Sequence, residues 1–219
     1  MLTARYFDAC SDGKSIIFDI AEKETALPMM RQEGGKKMSL CDYVIPQESG
    51  RKSPFGMFGI SVHKKSTAHV QGCSCPACSN QYEDMIGRTV RMTLAEAASK
   101  WLDKTIGIKV IKPAAGYSSC PDHTLKKDIL EMLCGHVHIH QEDGHHSCSC
   151  GCSCKGLGIE LTESYAMMPE SSICGLIFMH PEVTYPEVRR ISQEQYDSYA
   201  TARGMNEDTA RRFLGHLLK

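Results

Sequence analysis

The peptide KPAAGYSSCPDHT, residues 112–124, is the segment that most constrains how this chain can fold. Pro113, Gly116 and Pro121 stand too close together for a helix or strand to pass through, because proline fixes φ and lacks a backbone donor. The peptide is therefore predicted to be an irregular connection between regular elements. On composition alone, a surface turn with nothing bound remains the simpler interpretation of its function.

Helical periodicity flanks this peptide on both sides. Residues 82–107 give the best predicted helix, with Gly107 as its stop. Apolar residues at helical spacing predict a buried stripe along it: Met85, Ile86, Val90, Leu94, Ala97, Ala98, Trp101 and Leu102. Residues 125–133 predict a second helix with one apolar face, capped by Thr124 or Asp122.

Strands are predicted where short apolar runs lie between turn residues. They are residues 14–20, 54–63, 158–168 and 172–180. The glycines of the second strand suggest a close backbone approach. Two more helices are predicted, one after a capping-box pattern at Ser192 and Gln195 and one at 206–219. Strands and helices do not alternate regularly and no linker is evident, which favours a single α+β domain over residues 1–219.

Charge and hydropathy exclude several functional classes. The formal net charge is -1, so no basic excess indicates nucleic acid, and no Lys/Arg-dense run indicates an anionic membrane. No apolar run is long enough to span a bilayer. The N-terminus lacks the basic flank and apolar core of a signal peptide, so a cytoplasmic location is expected.

Cysteine is abundant for a reducing compartment, with 12 residues in the chain. Many of them crowd into two predicted loops, at about 64–81 and 135–156. The candidate metal ligands in these loops are Cys73, Cys75, Cys78, His145, His146, Cys148, Cys150, Cys152 and Cys154. A C-x-x-C pair suits zinc, whereas alternating cysteines suit another soft metal. A flexible loop with incidental metal affinity is the alternative, and neither loop is expected to be catalytic.

Several unusual segments occur in the order found in one known family. They are SDGKSIIFD, SLCDYVIPQESGRKSPFGMFGISV, MTLAEAASKWL, KPAAGYSSCPDHT and LTESYAMMPESSICGLIFMHPEVTY. The chain resembles the activation domain of cobalamin-dependent methionine synthase over nearly its whole length. The resemblance implies a single C-shaped domain with a long twisted antiparallel sheet flanked by helices.

The resemblance also implies a function. The family domain binds S-adenosylmethionine and uses it to remethylate cobalamin that has reached the inactive cob(II) state, with an electron from a flavodoxin-type donor. The nucleophile is the reduced cobalamin, so no catalytic side chain is expected, and the protein positions the methyl group and excludes water. Cobalamin itself is expected on a separate methionine synthase chain, so the present chain would be a component of that methyltransferase.

The family's ligand contacts carry over to particular positions of this sequence. They are Glu96, Lys112, Pro113, Ala114, Gly116, Tyr117, Tyr185 and Pro186. Lys112 replaces a family arginine, which keeps the positive charge but loses the planar fork that fits a carboxylate. Pro186 stands where the family often has a second aromatic residue. Glu96 would face the ligand's cationic groups, although a solvated helix glutamate is an equally good interpretation.

The sequence leaves a rival function open. Lys112, the two Cys/His-rich loops and the lack of a family N-terminal segment with a ligand-contacting aspartate all favour a metal-binding or metal-buffering protein on a degenerate scaffold. A module that contacts the corrinoid protein without binding S-adenosylmethionine is a third possibility. The leading hypothesis is a free-standing reactivation module that acts on a partner chain.

Overall fold

A computed structural model of the chain describes residues 1–20, 22–64, 81–135, 138–139 and 157–218. The strands are β1 (Leu2–Ser11), β2 (Ser15–Ile20), β3 (Lys23–Pro28), β4 (Ser53–Ser61), β5 (Val110–Ile111), β6 (His138–Ile139), β7 (Glu160–Leu161), β8 (Met167–Met168) and β9 (Ser172–Met179). The α-helices are α1 (Gln81–Ile106), α2 (Leu125–Cys134), α3 (Gln193–Ala202) and α4 (Glu207–Leu214). Short 3-10 helices occupy Leu40–Tyr43, Gln47–Ser49 and Gly215–Leu217.

Within these residues, six strands form an antiparallel sheet in the order β3-β2-β1-β4-β9-β5. A smaller sheet has the order β6-β7-β8. The helices lie beside the large sheet without a β-α-β alternation, so the predicted α+β class is confirmed. None of the described helices combines the length and apolar character that crossing a bilayer requires.

The central strand β4 divides the apolar core between the two faces of the sheet. Side chains alternate along a strand, so neighbouring residues of β4 point to opposite faces. Phe55 and Met57 belong to the larger core, which α2 covers with the apolar face predicted for it. Phe58 and Ile60 belong to a second core, which α1 covers. The two helices that flank the irregular peptide therefore lie on different faces of one sheet.

The prediction of a buried apolar stripe along α1 is wrong. Only its Leu102, together with the unpredicted Ala95, packs fully against the sheet. Trp101 is 60% exposed, and other members of the stripe are exposed with it: Met85, Ile86, Val90 and Leu94. Helical spacing identifies residues that share a face, but the sheet contacts only a narrow arc of this 26-residue helix.

One further prediction differs from the structure, and one strand pairing is not predicted. Residues 158–168 do not form one strand, because the turn between β7 and β8 reverses the chain at Tyr165, whose φ is 59°. The Thr162 hydroxyl accepts the Ala166 amide at 3.0 Å and so stabilises this turn against an extended strand. The long antiparallel pairing of β1 with β4 is not predicted at all, because β1 lacks a regular apolar alternation.

Helix α3 begins as predicted, although its capping box is only half formed. The Ser192 hydroxyl accepts the Gln195 amide at 3.2 Å. The Gln195 side chain does not return to the Ser192 backbone. It accepts the Arg31 amide at 2.6 Å and donates to the Arg31 carbonyl at 3.0 Å, which joins α3 to the segment after β3.

A buried polar network fixes the end of the irregular peptide. Asp122, only 1% exposed, accepts the Thr124 amide at 2.8 Å and hydroxyl at 2.7 Å, the Tyr199 hydroxyl at 2.9 Å and Arg203 Nε at 3.3 Å. Arg203 also donates to Asp128 at 2.5 Å, and these contacts raise its pKa although burial opposes them. The network thus joins the peptide to α2 and α3.

Replacing Asp122 with alanine is expected to destabilise the fold by about 3 kcal/mol, because Tyr199 and part of Arg203 would remain buried without a partner. Urea denaturation followed by circular dichroism measures the change in the free energy of unfolding. Asp19→Ala is the control, since it breaks an exposed ion pair with Lys52 and is expected to change stability much less. Equal losses for the two variants would contradict a structural role for the network.

Candidate ligand-binding cleft

A cleft of about 540 Å³ lies between α1, the irregular peptide and the start of β9. A volume of this size falls within the range of small-molecule sites. The described residues that line it include Met92, Ala95, Glu96, Lys112, Pro113, Ala114, Ala115, Tyr117, Ser118, Ser119, Lys126, Met167, Glu170, Ser171, Ser172, Ile173, Cys174 and Tyr185. Segments far apart in the sequence therefore meet at one surface.

The structure brings six of the eight predicted ligand contacts together here: Glu96, Lys112, Pro113, Ala114, Tyr117 and Tyr185. Gly116 and Pro186 are not among the lining residues. Gly116 instead shapes the peptide, because its φ is +93° and a Cβ would lie 2.4 Å from the His123 ring. The role of all eight residues in binding stays a prediction.

Gly175 of β9 lets the peptide lie directly on the sheet. A Cβ at this position would stand 2.6 Å from the Pro113 carbonyl oxygen and 3.2 Å from Ala114 Cα. The next residue, Leu176, donates its amide to the same Pro113 oxygen at 3.0 Å. Gly175 is not among the predicted residues, and a glycine in an otherwise apolar strand is the signal that could have identified it.

Lys112 directs its charge toward α1. Its ammonium donates to the Ser99 carbonyl and, at 2.5 Å, to the Ser99 hydroxyl. It also lies 2.8 Å from Asp103 Oδ1, an ion-pair distance without the alignment of a hydrogen bond, and 5.4 Å above the Phe58 ring. This cation therefore already has an acidic partner and joins α1 to the sheet.

Two tyrosines offer aromatic surface at the cleft. Tyr117 is 71% exposed and Tyr185 is 57% exposed. The Tyr185 hydroxyl accepts the Lys112 amide at 3.0 Å, which ties its loop to the irregular peptide. The preceding Thr184 donates its amide to the buried Tyr43 hydroxyl at 3.2 Å and so anchors that loop. Both exposed rings can stack on a planar ligand or face a cation, and that of Tyr185 is anchored for this role.

The acidic residues of the cleft differ in their partners. Glu170 pairs with Arg88 at 3.2 Å. Glu96 is exposed on α1, with no ion pair or hydrogen bond to the described residues. Its carboxylate is thus available to a cationic group of a ligand.

Lys126 and Cys174 form the deeper part of the lining, and neither is among the predicted contacts. Burial raises the pKa of Cys174 to about 12, so this residue is a neutral thiol near pH 7. Burial lowers the pKa of Lys126, whose ammonium donates to the Tyr165 carbonyl at 2.9 Å. A lysine in an apolar helix pattern gives little sequence signal of such a position.

The predicted metal ligands all fall outside the described residues, so their arrangement stays a prediction. They are Cys73, Cys75, Cys78, His145, His146, Cys148, Cys150, Cys152 and Cys154. In the part of the chain that the structure describes, no group of three or more His, Cys, Asp or Glu side chains is arranged to hold a metal ion.

Comparison with known proteins identifies the family. The model of the family described as vitamin B12 dependent methionine synthase, activation domain, matches residues 3–110 and 152–204. A solved structure, the MetH reactivation domain bound to AdoHcy, is 26% identical and superposes with a TM-score of 0.76. The match covers 98% of this chain and 69% of that one. The chain belongs to the family of vitamin B12 dependent methionine synthase activation domains.

Proposed function

We propose that the chain binds S-adenosylmethionine in this cleft and supports reductive remethylation of cob(II)alamin on a separate methionine synthase chain. The observation that carries the proposal is the meeting of Glu96, residues 112–115, Tyr117 and Tyr185 around one cleft. The solved structure of the related domain holds AdoHcy, the demethylated form of the same ligand. A flavodoxin-type protein is the proposed electron donor.

The chemistry of the cleft fits the chemistry of this ligand. S-adenosylmethionine carries a planar adenine, a sulfonium cation and a zwitterionic amino-acid group. Tyr117 and Tyr185 present rings that suit adenine or the sulfonium, and Glu96 presents a carboxylate to a cation. The small residues Ala114 and Ala115 leave the peptide backbone close to the cleft, where its polar groups can reach the ribose or adenine.

The proposed chemistry asks little of the side chains beyond binding and orientation. The methyl donor supplies an activated methyl group, and reduced cobalamin on the partner supplies the nucleophile. The cleft residues hold the sulfonium in one orientation and keep water from it. A partner on a different chain also requires a docking surface, because no covalent link raises its effective concentration.

The charge on Glu96 provides a test of ligand binding. We expect the wild-type protein to bind both S-adenosylmethionine and S-adenosylhomocysteine in isothermal titration calorimetry. Glu96→Gln should weaken S-adenosylmethionine binding about fivefold and leave S-adenosylhomocysteine nearly unchanged, because only the former carries the sulfonium charge. Glu194→Gln, an exposed change on α3, is the matched control.

Two outcomes would contradict this assignment in different ways. If the folded wild-type protein bound neither ligand at millimolar concentration, the proposed function would be wrong. If Glu96→Gln weakened the binding of both ligands equally, Glu96 would not contact the sulfonium.

The predicted Cys/His-rich loop at about 135–156 is proposed to be unnecessary for ligand binding, since the described lining comes from other parts of the chain. Joint replacement of Cys148, Cys150, Cys152 and Cys154 with serine should abolish any zinc that copurifies with this segment. The affinity for S-adenosylhomocysteine should stay within about twofold, as expected for independent sites. Metal analysis and calorimetry measure the two effects, and a large loss of ligand affinity would link the segment to the cleft.

A further inference from the structure

Lys126 is a buried cation with no acidic partner in the described chain. It is 9% exposed and lies in the first turn of α2, among the buried residues that line the cleft. Its ammonium contacts the Tyr165 carbonyl at 2.9 Å and His123 Nδ1 at 3.1 Å. Both partners are uncharged acceptors, because an ammonium can only donate and His123 must then carry its proton on Nε2.

This arrangement leaves the positive charge of Lys126 uncompensated. Burying an ammonium without a counter-ion is unfavourable, and burial accordingly lowers the pKa of Lys126. The same surroundings, burial first and then the Lys126 charge, lower the pKa of His123. A side chain needed only to hold the Tyr165 carbonyl would not require a charge, so the position is suited to an anion that arrives from the cleft.

The remaining charges of the cleft support the same interpretation. Lys112 is paired with Asp103, and Glu170 is paired with Arg88. In the described lining, the charges left without an ionic partner are therefore the cation of Lys126 and the anion of Glu96. S-adenosylmethionine carries one carboxylate and two cations, the α-ammonium and the sulfonium, so it offers an anion to Lys126 and a cation to Glu96.

We infer that Lys126, and not Lys112, binds the carboxylate of the ligand's amino-acid group. This inference rests on the proposed function, because it assigns one group of that ligand to one side chain of the cleft. It places the amino-acid end toward α2 and the sulfonium toward Glu96 on α1. Ser172, whose buried hydroxyl has no hydrogen-bond partner in the described chain, lies in the same lining.

Two ligands that differ in the amino-acid group test the inference. S-adenosylhomocysteine carries the carboxylate, whereas 5′-methylthioadenosine keeps the adenosine and the thioether without it. Lys126→Met should weaken S-adenosylhomocysteine about 10- to 100-fold, as expected for loss of a charge-assisted hydrogen bond. The affinity for 5′-methylthioadenosine should stay within about twofold, which also shows that the variant retains its fold.

Matched variants separate Lys126 from its neighbours. Lys127→Met changes an exposed lysine one position along the same helix, paired with Glu131 at 3.9 Å, and should leave both affinities unchanged. Lys112→Met should affect the two ligands to a similar extent, because its ammonium is engaged with α1. The inference is overturned if Lys112→Met, rather than Lys126→Met, removes the preference for the ligand with a carboxylate.

A crystal structure of the wild-type protein with S-adenosylhomocysteine tests the same contact without a mutation. We expect the ligand carboxylate within about 2.7–3.2 Å of Lys126 Nζ. A bound ligand whose carboxylate lies elsewhere overturns the inference and leaves the proposed function intact. If the wild-type protein binds neither S-adenosylmethionine nor S-adenosylhomocysteine, the proposed function itself is overturned.

Discussion

The packing of residues 112–124 against the sheet is the constraint on which the rest of the structure depends. An irregular peptide keeps one conformation only if its backbone and its ends find fixed partners. Here the Pro113 carbonyl accepts the Leu176 amide, and Gly175 leaves room for that approach. At the other end, Asp122 binds Tyr199 and Arg203 in a buried network. The two helices on either side of the peptide are thereby positioned on opposite faces of one sheet.

The cleft forms where this packed peptide meets α1, α2 and β9. Helix α1 supplies Glu96, the peptide supplies backbone and an aromatic ring, and α2 supplies Lys126 at greater depth. The family resemblance implies that the positive charge of Lys112 contacts the ligand, but in the structure this charge lies against Asp103. The chain retains a cation in the cleft nevertheless, because Lys126 has no acidic partner in the described residues.

The sequence predicts the features that depend on local chemistry. Prolines and a glycine identify 112–124 as irregular, and apolar spacing identifies the buried face of α2. It fails where the outcome depends on distant neighbours. Spacing cannot tell that Trp101 is exposed, nor that Lys126 is buried in the lining of the cleft. Gly175 has a role only because Pro113 lies against it, and that contact joins segments far apart in the chain.

The most direct measurement follows a labelled methyl group from S-adenosylmethionine to cob(II)alamin on a methionine synthase chain that lacks an activation domain, with a reduced flavodoxin as electron donor. If this protein is a reactivation module, label should appear on the cobalamin in proportion to the amount of folded protein added. Label should be absent when the protein is omitted. An unlabelled cobalamin at saturating ligand, with an active electron donor and folded protein present, would contradict the proposed function.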